Sequence, residues 1–369
     1  MAVSSPVINE LVLNNHGTKD TTISRLNYIG SKYQLLDWIT EHMRIVTGWG
    51  DFKGRRIADL FAGTGVVSHH FRKVGAIVTS NDAELYSAII THAFTCSSYT
   101  ERCASLIATF GTELVSNAHA TTAGFVTRKY SPFEDCERMF FTVDNARRID
   151  YLRNRIEMTR SECTVDEYKF LLASLLLSAD AVSNVPAVYG CYLKNFKAKA
   201  IKNLTLKPIH ILATASSVGS KSYNSDVLAD TLISNIDADL VYLDPPYNER
   251  QYSKNYFPLN MIALTPEEQL VEPALKGKTG IPTTCFKSPF CKKGAAVEEA
   301  FEKLFSNLKT TWIFVSYNSE SIVSRTKMLE IMGKYGTVTI QEREYKRFKS
   351  FKYNKDVAIK EYLFCLRKT

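Results

Sequence analysis

Residues 56–82 form the segment that most restricts the possible folds of this chain. Arg56–Phe61 has the composition of a strand and leads directly into the turn Ala62–Gly65. Val66–Val74 is predicted as a helix, and Ala76–Ser80 as a second strand that ends at Asn81 and Asp82. A strand, a glycine turn, a helix and another strand are the building block of doubly wound sheets. The fold class is therefore predicted as α/β.

Four segments are predicted around this unit. Residues 1–24 are polar and unpatterned and are predicted to form a mobile tail. An α/β domain is predicted over 25–96 and 206–369, separated by an inserted, mainly helical and basic lobe over 97–205, where strands and helices no longer alternate. Further strands are predicted at Leu240–Leu243, at Trp312–Ser316 and in a terminal hairpin over 338–367.

Composition restricts the partners and the location of the protein. Its 46 Lys and Arg against 38 Asp and Glu give a formal net charge of +8, which attracts polyanions. The eight cysteines are scattered without zinc-ligand spacing, so no metal is expected. The chain shows neither the basic, apolar start of a secretion signal nor an apolar stretch long enough to cross a bilayer. We therefore expect a soluble, intracellular, cytoplasmic protein that does not bind a membrane.

The glycine turn is a candidate ligand site. Gly63 and Gly65 let the backbone approach a ligand over the carboxyl end of the sheet. The third glycine of a dinucleotide fingerprint is replaced by Ser68, which favours a nucleoside ligand without a pyrophosphate. Asp82 ends the next strand, where a carboxylate accepts hydrogen bonds from ribose hydroxyls. A plain tight turn with Asp82 as a helix cap is the alternative. Asp226 either contacts an adenine amino group or caps a helix.

The strongest signal is the turn Asp244-Pro245-Pro246-Tyr247 after an apolar strand. Two prolines stiffen this turn and remove two amide donors, which leaves carbonyl oxygens free to accept hydrogen bonds. An exocyclic amine on an aromatic ring is a weak nucleophile because its lone pair is delocalised. The Asp244 carboxylate and the Pro245 carbonyl are predicted to accept its two N–H groups, while Tyr247 stacks on a base flipped out of its duplex. These features predict methyl transfer to a base amine.

The motifs together resemble those of the Dam-like, D12 class of site-specific DNA adenine-N6 methyltransferases. Their order is the α-type arrangement, and the opening N-Y-I-G-S-K places the chain near a restriction-modification branch. The matching pieces are Asn27–Lys32, Asp59–Gly65, Ser80–Asp82, Asp226, Asp244–Tyr247 and Ser316–Asn318. The resemblance covers most of the chain from about Arg25 onward.

This resemblance implies a seven-stranded, Rossmann-like methyltransferase sheet that binds S-adenosylmethionine without a metal. The cofactor would lie over Asp59, Phe61, Gly63 and Gly65. Its methionine end would meet Tyr28 and Lys32, with Lys32 facing the carboxylate, its ribose would meet Asp82, and its adenine edge Asp226. The opening Tyr28–Lys32 departs from the W-A-G-G-K form that is common in the wider class.

The resemblance also implies that the substrate is double-stranded DNA read by the inserted lobe. Basic and aromatic residues are the candidate DNA contacts. They are Lys194, Lys197, Tyr252, Lys346, Arg347 and Lys349. Such residues more often form ordinary solvated surface, which is the alternative interpretation. A cognate restriction endonuclease acting on the same site, a monomeric or weakly dimeric state and a CATG-like palindrome as target are further expectations.

Three alternatives remain at this point. Methylation of RNA adenine or of cytosine N4 would use similar chemistry, although the cytosine enzymes more often carry Ser at the position of Asp244. A non-catalytic nucleic-acid-binding module of the same fold predicts a broken Asp244 turn, whereas this one is intact.

Overall fold

The structure is a computed structural model, and it describes residues 26, 28, 30–117, 122–211, 216–271, 273–345 and 359–369. The chain forms two compact units. The sheet unit comprises residues 30–91, 215–255 and 285–369. The helical unit comprises residues 92–214 and 256–284 together with 1–29. The predicted tail over 1–24 lies outside the described residues.

Nine strands occur in the described residues, and seven of them form one sheet in the sheet unit. They are β1 (Arg56–Asp59), β2 (Ile77–Asp82), β3 (Lys221–Asn224), β4 (Leu240–Leu243), β5 (Leu275–Lys276), β6 (Ile281–Pro282), β7 (Trp312–Asn318), β8 (Gly336–Tyr345) and β9 (Ile359–Lys368). The order in the sheet is β3-β2-β1-β4-β7-β9-β8. Pairing is parallel from β3 to β7, while β9 is antiparallel to both β7 and β8. The predicted seven-stranded sheet and its terminal hairpin are confirmed.

Thirteen α-helices occur in the described residues of the two units. In chain order they are α1 (Leu36–Thr47), α2 (Val66–Lys73), α3 (Leu85–Thr95), α4 (Glu101–Asn117), α5 (Phe125–Tyr130), α6 (Val143–Met158), α7 (Val165–Ala181), α8 (Asp230–Ile233), α9 (Tyr252–Asn255), α10 (Phe257–Ala263), α11 (Pro266–Leu270), α12 (Ala295–Asn307) and α13 (Arg325–Gly333). Short 3-10 turns cover Lys32–Leu35, Arg160–Glu162 and Pro289–Cys291.

Strand β4 shows how the doubly wound core forms. Its side chains alternate between the two faces of the sheet and all four are buried. Tyr242 packs in the cluster that contains residues of α1 and α2, and Val241 in the cluster that contains residues of α12 and α13. Burial on both faces explains why β4 is a continuous apolar run, as strands in parallel sheets usually are.

The helical unit joins two separate stretches of the chain. Phe257 of α10 packs against Tyr130 with ring centroids 5.7 Å apart, and Arg153 donates to the carbonyl of Leu264 at 2.8 Å. Residues 256–284 therefore pack with 92–214, although the sequence assigned them to the second part of the α/β domain. The described residues 182–211 contain turns rather than helices. The role of this lobe in target recognition stays a prediction.

Among the described residues, no helix combines the length and apolarity needed to cross a bilayer. The same residues include no group of three or more His, Cys, Asp or Glu placed to hold a metal ion.

Candidate active site

The two motif turns leave the sheet at the same edge. Strands β1 and β4 are parallel neighbours, with Asp59 paired to Tyr242, and the Leu60 amide donates to the Tyr242 carbonyl at 3.2 Å. The strand order reverses between β1 and β4. In open α/β sheets, the carboxyl ends of the strands at such a reversal flank the ligand crevice. The glycine turn and the Asp244 turn therefore lie side by side.

The glycine turn is fastened to the end of β2. Gly63 and Gly65 have φ values of 53° and 74°, a left-handed region that favours glycine. The Gly63 amide donates to Oδ2 of Asp82 at 2.8 Å, and the Gly63 carbonyl accepts from Ser87 Oγ at 2.5 Å. The amide and the carbonyl of Gly63 are thus both held by neighbouring side chains, which fixes the shape of the turn.

Both carboxylate oxygens of Asp82 accept from backbone amides, one in the glycine turn and one just before α3. Its second oxygen accepts from the Glu84 amide at 2.9 Å. Burial raises the pKa of the Asp82 carboxyl, while these amide donors oppose the rise. A carboxylate has about four acceptor sites, so capping two amides is compatible with accepting from a ribose. The ribose role stays a prediction.

Asp59 is a buried acceptor at the end of β1. Its Oδ2 accepts from Ser68 Oγ at 2.7 Å, whereas its Oδ1 is buried without a hydrogen-bond partner in the described part of the chain. Burial raises the pKa of Asp59 to about 7. An unsatisfied buried oxygen is costly. This oxygen suits a ligand that brings a donor or a positive charge.

Asp226 and Phe61 lie near the same edge. Asp226 follows β3, and its Oδ1 accepts from the Leu228 amide at 3.0 Å in a local turn. The ring of Phe61 packs edge-on against Phe290 with centroids 5.1 Å apart. Because β3, β2, β1 and β4 are consecutive parallel neighbours, their carboxyl ends present Asp226, Asp82, Phe61 and Asp244 along one edge.

The Asp244 turn contains a buried ion pair. Oδ1 of Asp244 lies 2.8 Å from Nζ of Lys32, and the Lys32 side chain is only 5% exposed. Pro245 and Pro246 are buried, and their fixed φ angles limit the freedom of this turn. Burial raises the pKa of Asp244, and Lys32 lowers it. Lys32 thus favours the ionised form of the residue predicted to accept from the base.

The structure brings Lys32 to the Asp244 turn. Sequence analysis assigned Lys32 to the methionine carboxylate of the cofactor, and that contact stays a prediction. Its Nζ also donates to the Gly30 carbonyl at 3.1 Å and lies 4.7 Å from the centroid of the Tyr247 ring. Tyr247 packs edge-on against Tyr317. The stacking of Tyr247 on a flipped base likewise stays a prediction.

Glu361 is the residue that sequence analysis missed. It lies on β9, its side chain is 5% exposed, and its Oε1 is 3.8 Å from Lys32 Nζ. The same oxygen accepts from the Tyr247 hydroxyl at 2.6 Å. Burial raises the pKa of Glu361 to about 7. The only local signal is a Glu among the apolar residues of a strand that is otherwise mostly buried.

Four of the remaining predicted residues lie in the described part of the chain. Tyr28 belongs to the helical unit, where its ring stacks on Tyr256 with centroids 4.7 Å apart. Tyr252 begins α9 in the sheet unit. Lys194 is exposed, whereas Lys197 is half-buried and donates to the carbonyl of Val185. Lys346, Arg347 and Lys349 lie outside the described residues.

A Rossmann-like sheet with a glycine turn beside an Asp-Pro-Pro-Tyr turn at the strand-order reversal defines a methyltransferase that acts on a planar amino group. The chain belongs to the family of D12 class N6 adenine-specific DNA methyltransferases, whose model matches residues 28–331. The expected family, the activity on adenine N6 and the preference over the cytosine and RNA alternatives are thereby confirmed. Family membership implies S-adenosylmethionine as the methyl donor.

Related proteins are similar over nearly the whole chain. The type II methyltransferase M.CviAII of Paramecium bursaria Chlorella virus 1 is 40% identical over 93% of this chain and 98% of its own length. The type II methyltransferase M.NlaIII of Neisseria lactamica is 37% identical, over 93% of this chain and 100% of its own length. The type II methyltransferase M.FokI of Planomicrobium okeanokoites is 33% identical, over 93% of this chain and 53% of its own length.

Proposed function

We propose that this protein is the modification enzyme of a type II restriction system. It transfers a methyl group from S-adenosylmethionine to N6 of an adenine that is flipped out of a short site in double-stranded DNA. The main support for the proposal is that the glycine turn and the Asp244 turn leave the sheet at the same edge. They do so because Asp59 and Tyr242 are register partners in adjacent parallel strands. Full-length similarity to proteins named type II methyltransferases supports the restriction-modification role.

The donor side fits S-adenosylmethionine. Oδ1 of Asp59, which has no hydrogen-bond partner among the described residues, offers a buried acceptor, and the left-handed Gly63 and Gly65 keep side chains away from the turn. Phe61, Asp82 and Asp226 would hold the nucleoside part, and Tyr28 and Lys32 the methionine end. When bound, the cofactor supplies a methyl group on a positively charged sulfur. No metal takes part in the proposed reaction.

On the acceptor side, the Asp244 turn would hold the adenine amine. The carboxylate of Asp244 and the carbonyl of Pro245 accept the two N–H groups, which frees the nitrogen lone pair to face the methyl group. Pro246 stiffens the turn, and the Tyr247 ring would stack on the base. Correct placement of two reacting groups lowers a barrier by up to about 7–11 kcal/mol, so a stiff turn is well suited to this task.

Several partner assignments belong to the same proposal. Lys194 and Tyr252 would contact DNA, together with Lys346, Arg347 and Lys349, and the net charge of +8 favours such a partner. Lys197 is the weaker candidate because its ammonium group is already hydrogen-bonded to the backbone. A cognate endonuclease, a CATG-like palindromic site and a monomeric or weakly dimeric enzyme complete the proposal.

Sequencing of cellular DNA tests this function. The gene is expressed in cells that lack N6-methyladenine, and their DNA is sequenced for this base. We expect one short sequence to be methylated at nearly every occurrence. Asp244→Asn should abolish the mark, whereas Asp135→Asn, at an exposed position of the helical unit, should leave it unchanged. Full methylation by the Asp244 variant would contradict the assigned chemistry.

A further inference from the structure

Two buried carboxylates share one lysine beside the proposed adenine site. Lys32 Nζ is 2.8 Å from Asp244 Oδ1 and 3.8 Å from Glu361 Oε1, and all three side chains are largely buried. One cation does not neutralise two anions in a poorly solvated site. The protein therefore holds an excess of negative charge, or one extra proton, next to the residue that accepts from the amine.

Glu361 also fixes the aromatic ring of the turn. Its Oε1 accepts from the Tyr247 hydroxyl at 2.6 Å, and the ring of Tyr247 lies 4.7 Å from Lys32 Nζ. Lys32, Glu361 and Tyr247 thus form a closed ring of contacts, and Asp244 is joined to this ring through Lys32. In this ring, Glu361 is the only member contributed by β9, so it connects the Asp-Pro-Pro-Tyr turn to the antiparallel end of the sheet.

We propose that Glu361 is a positioning residue for methyl transfer. Its carboxylate holds the Tyr247 hydroxyl and attracts Lys32, and by sharing Lys32 it leaves the Asp244 carboxylate a stronger acceptor for the adenine amine. The inference rests on the proposed role of Asp244.

The charge of Glu361 makes a difference at two moments of the reaction. The methyl donor is cationic, and its positive charge passes to the amine nitrogen when the N–C bond forms and the electron pair of the C–S bond stays on sulfur. That nitrogen then loses a proton, for which Asp244 is the nearest acceptor in the proposal. An ionised Glu361 stabilises the positive charge at both moments by electrostatic attraction.

The groups around Glu361 predict how the rate responds to pH. Lys32, Asp244 and Tyr247 face it, Tyr242 adds to its electrostatic environment, and Asn318 of β7 and Arg343 of β8 are its register partners. Burial raises the pKa of Glu361 to about 7, so its carboxyl group is mainly neutral below that pH and mainly ionised above it. We expect kcat to rise with pH through this range.

Glu361→Gln tests the charge while keeping the size of the side chain and an oxygen for Tyr247. We expect kcat to fall by about tenfold or more, with little change in the KM for DNA or in the cofactor Kd, and the rise of kcat near neutral pH to disappear. The matched control is Glu342→Gln on β8, an exposed glutamate that pairs with Arg325 and Lys360. Its kcat and pH profile should match those of the unmodified enzyme.

Tyr247→Phe gives a second test that keeps the ring. The Tyr247 hydroxyl lowers the pKa of Glu361 through its hydrogen bond. Its removal should move the midpoint of the kcat rise to higher pH. A midpoint that stays in place, or a Glu361→Gln enzyme with the kcat and pH profile of the unmodified enzyme, would overturn the inference.

Asp244→Asn separates the two proposals. If that variant is inactive while Glu361→Gln is fully active, the role of Glu361 is wrong and the proposed function stands. If Asp244→Asn keeps full activity, the proposed chemistry of the Asp244 turn fails, and the inference on Glu361 fails with it. Thermal unfolding of each variant checks that its fold is intact.

Discussion

Nζ of Lys32 lies 2.8 Å from Oδ1 of Asp244, and this ion pair joins the opening motif of the chain to the turn proposed to hold the adenine. The pair is buried, so its two charges interact strongly. A residue that the family resemblance assigns to the cofactor thereby lowers the pKa of the residue proposed to accept from the base.

Lys32→Met should make activity more dependent on pH. Lys32 lowers the pKa of Asp244, so its removal raises that pKa and reduces the ionised fraction at neutral pH. We expect kcat to fall by about tenfold near pH 7 and to recover partly as the pH rises. Lys309→Met, at an exposed position, serves as the control in the same series of kcat measurements. An equal loss at every pH would contradict an effect through Asp244.

Gly65→Ala should weaken cofactor binding as well as stability. The left-handed conformation at φ 74° costs a residue with a side chain about 1–2 kcal/mol, and the strain falls on the turn proposed to hold the cofactor. Gly48 has nearly the same φ, 73°, and an added Cβ there would meet nothing within 4 Å. Gly48→Ala should therefore lower the Tm similarly and leave the cofactor Kd unchanged by calorimetry. Equal Kd values for both variants would remove the Gly65 turn from the cofactor site.

Asp82→Ala should raise the cofactor Kd. The variant loses a charged acceptor, and a hydrogen bond to such a group is worth about 1–3 kcal/mol. The amides of Gly63 and Glu84 also lose the acceptor that they share. Titration calorimetry measures the change, with Asp135→Ala as an exposed control. An unaltered Kd would exclude Asp82 from the cofactor site.

Asp59→Asn should stabilise the protein at alkaline pH. The folded-state pKa of Asp59, about 7, is above the ordinary value of 3.8, so the native state binds more protons between these values. Its contribution to the free energy of unfolding therefore decreases as pH rises from about 4 to 7 and stays low above it. The neutral amide of the Asn variant avoids the cost of ionising a buried carboxyl group. We therefore expect its free energy of unfolding at pH 8, measured by urea unfolding, to increase by about 1–4 kcal/mol. The gain should vanish below about pH 4, and its persistence there would contradict the assignment to ionisation.

Lys194→Ala and Lys197→Ala should differ in their effects. Loss of a phosphate contact at the exposed Lys194 should weaken DNA binding and reduce the slope of log K against log salt by about one. Lys197→Ala should mainly lower the Tm because its ammonium group donates to the Val185 carbonyl. Fluorescence anisotropy over a salt series measures the first effect. An unchanged slope for Lys194→Ala would place this lysine away from the DNA.

Much of the fold could be predicted because its signals are local. A strand, a glycine turn and a helix follow one another within residues 56–73, and a parallel sheet requires such units. The terminal hairpin could be predicted for the same reason. The packing of 256–284 with 92–214 could not, since contacts such as Arg153 with Leu264 join residues that are far apart in the chain.

The sequence by itself determined which chemical groups lie at the ends of β1, β2 and β4. A strand that is followed directly by turn residues such as glycine or proline can be predicted to end there. Only the tertiary structure decided that Lys32 and Glu361 meet at Asp244. Pairing of β7 with β9 brings Glu361 to the same edge, 114 residues after Tyr247, and burial there raises its pKa to about 7. Burial and charge depend on neighbours in space, and short motifs contain no information about those neighbours.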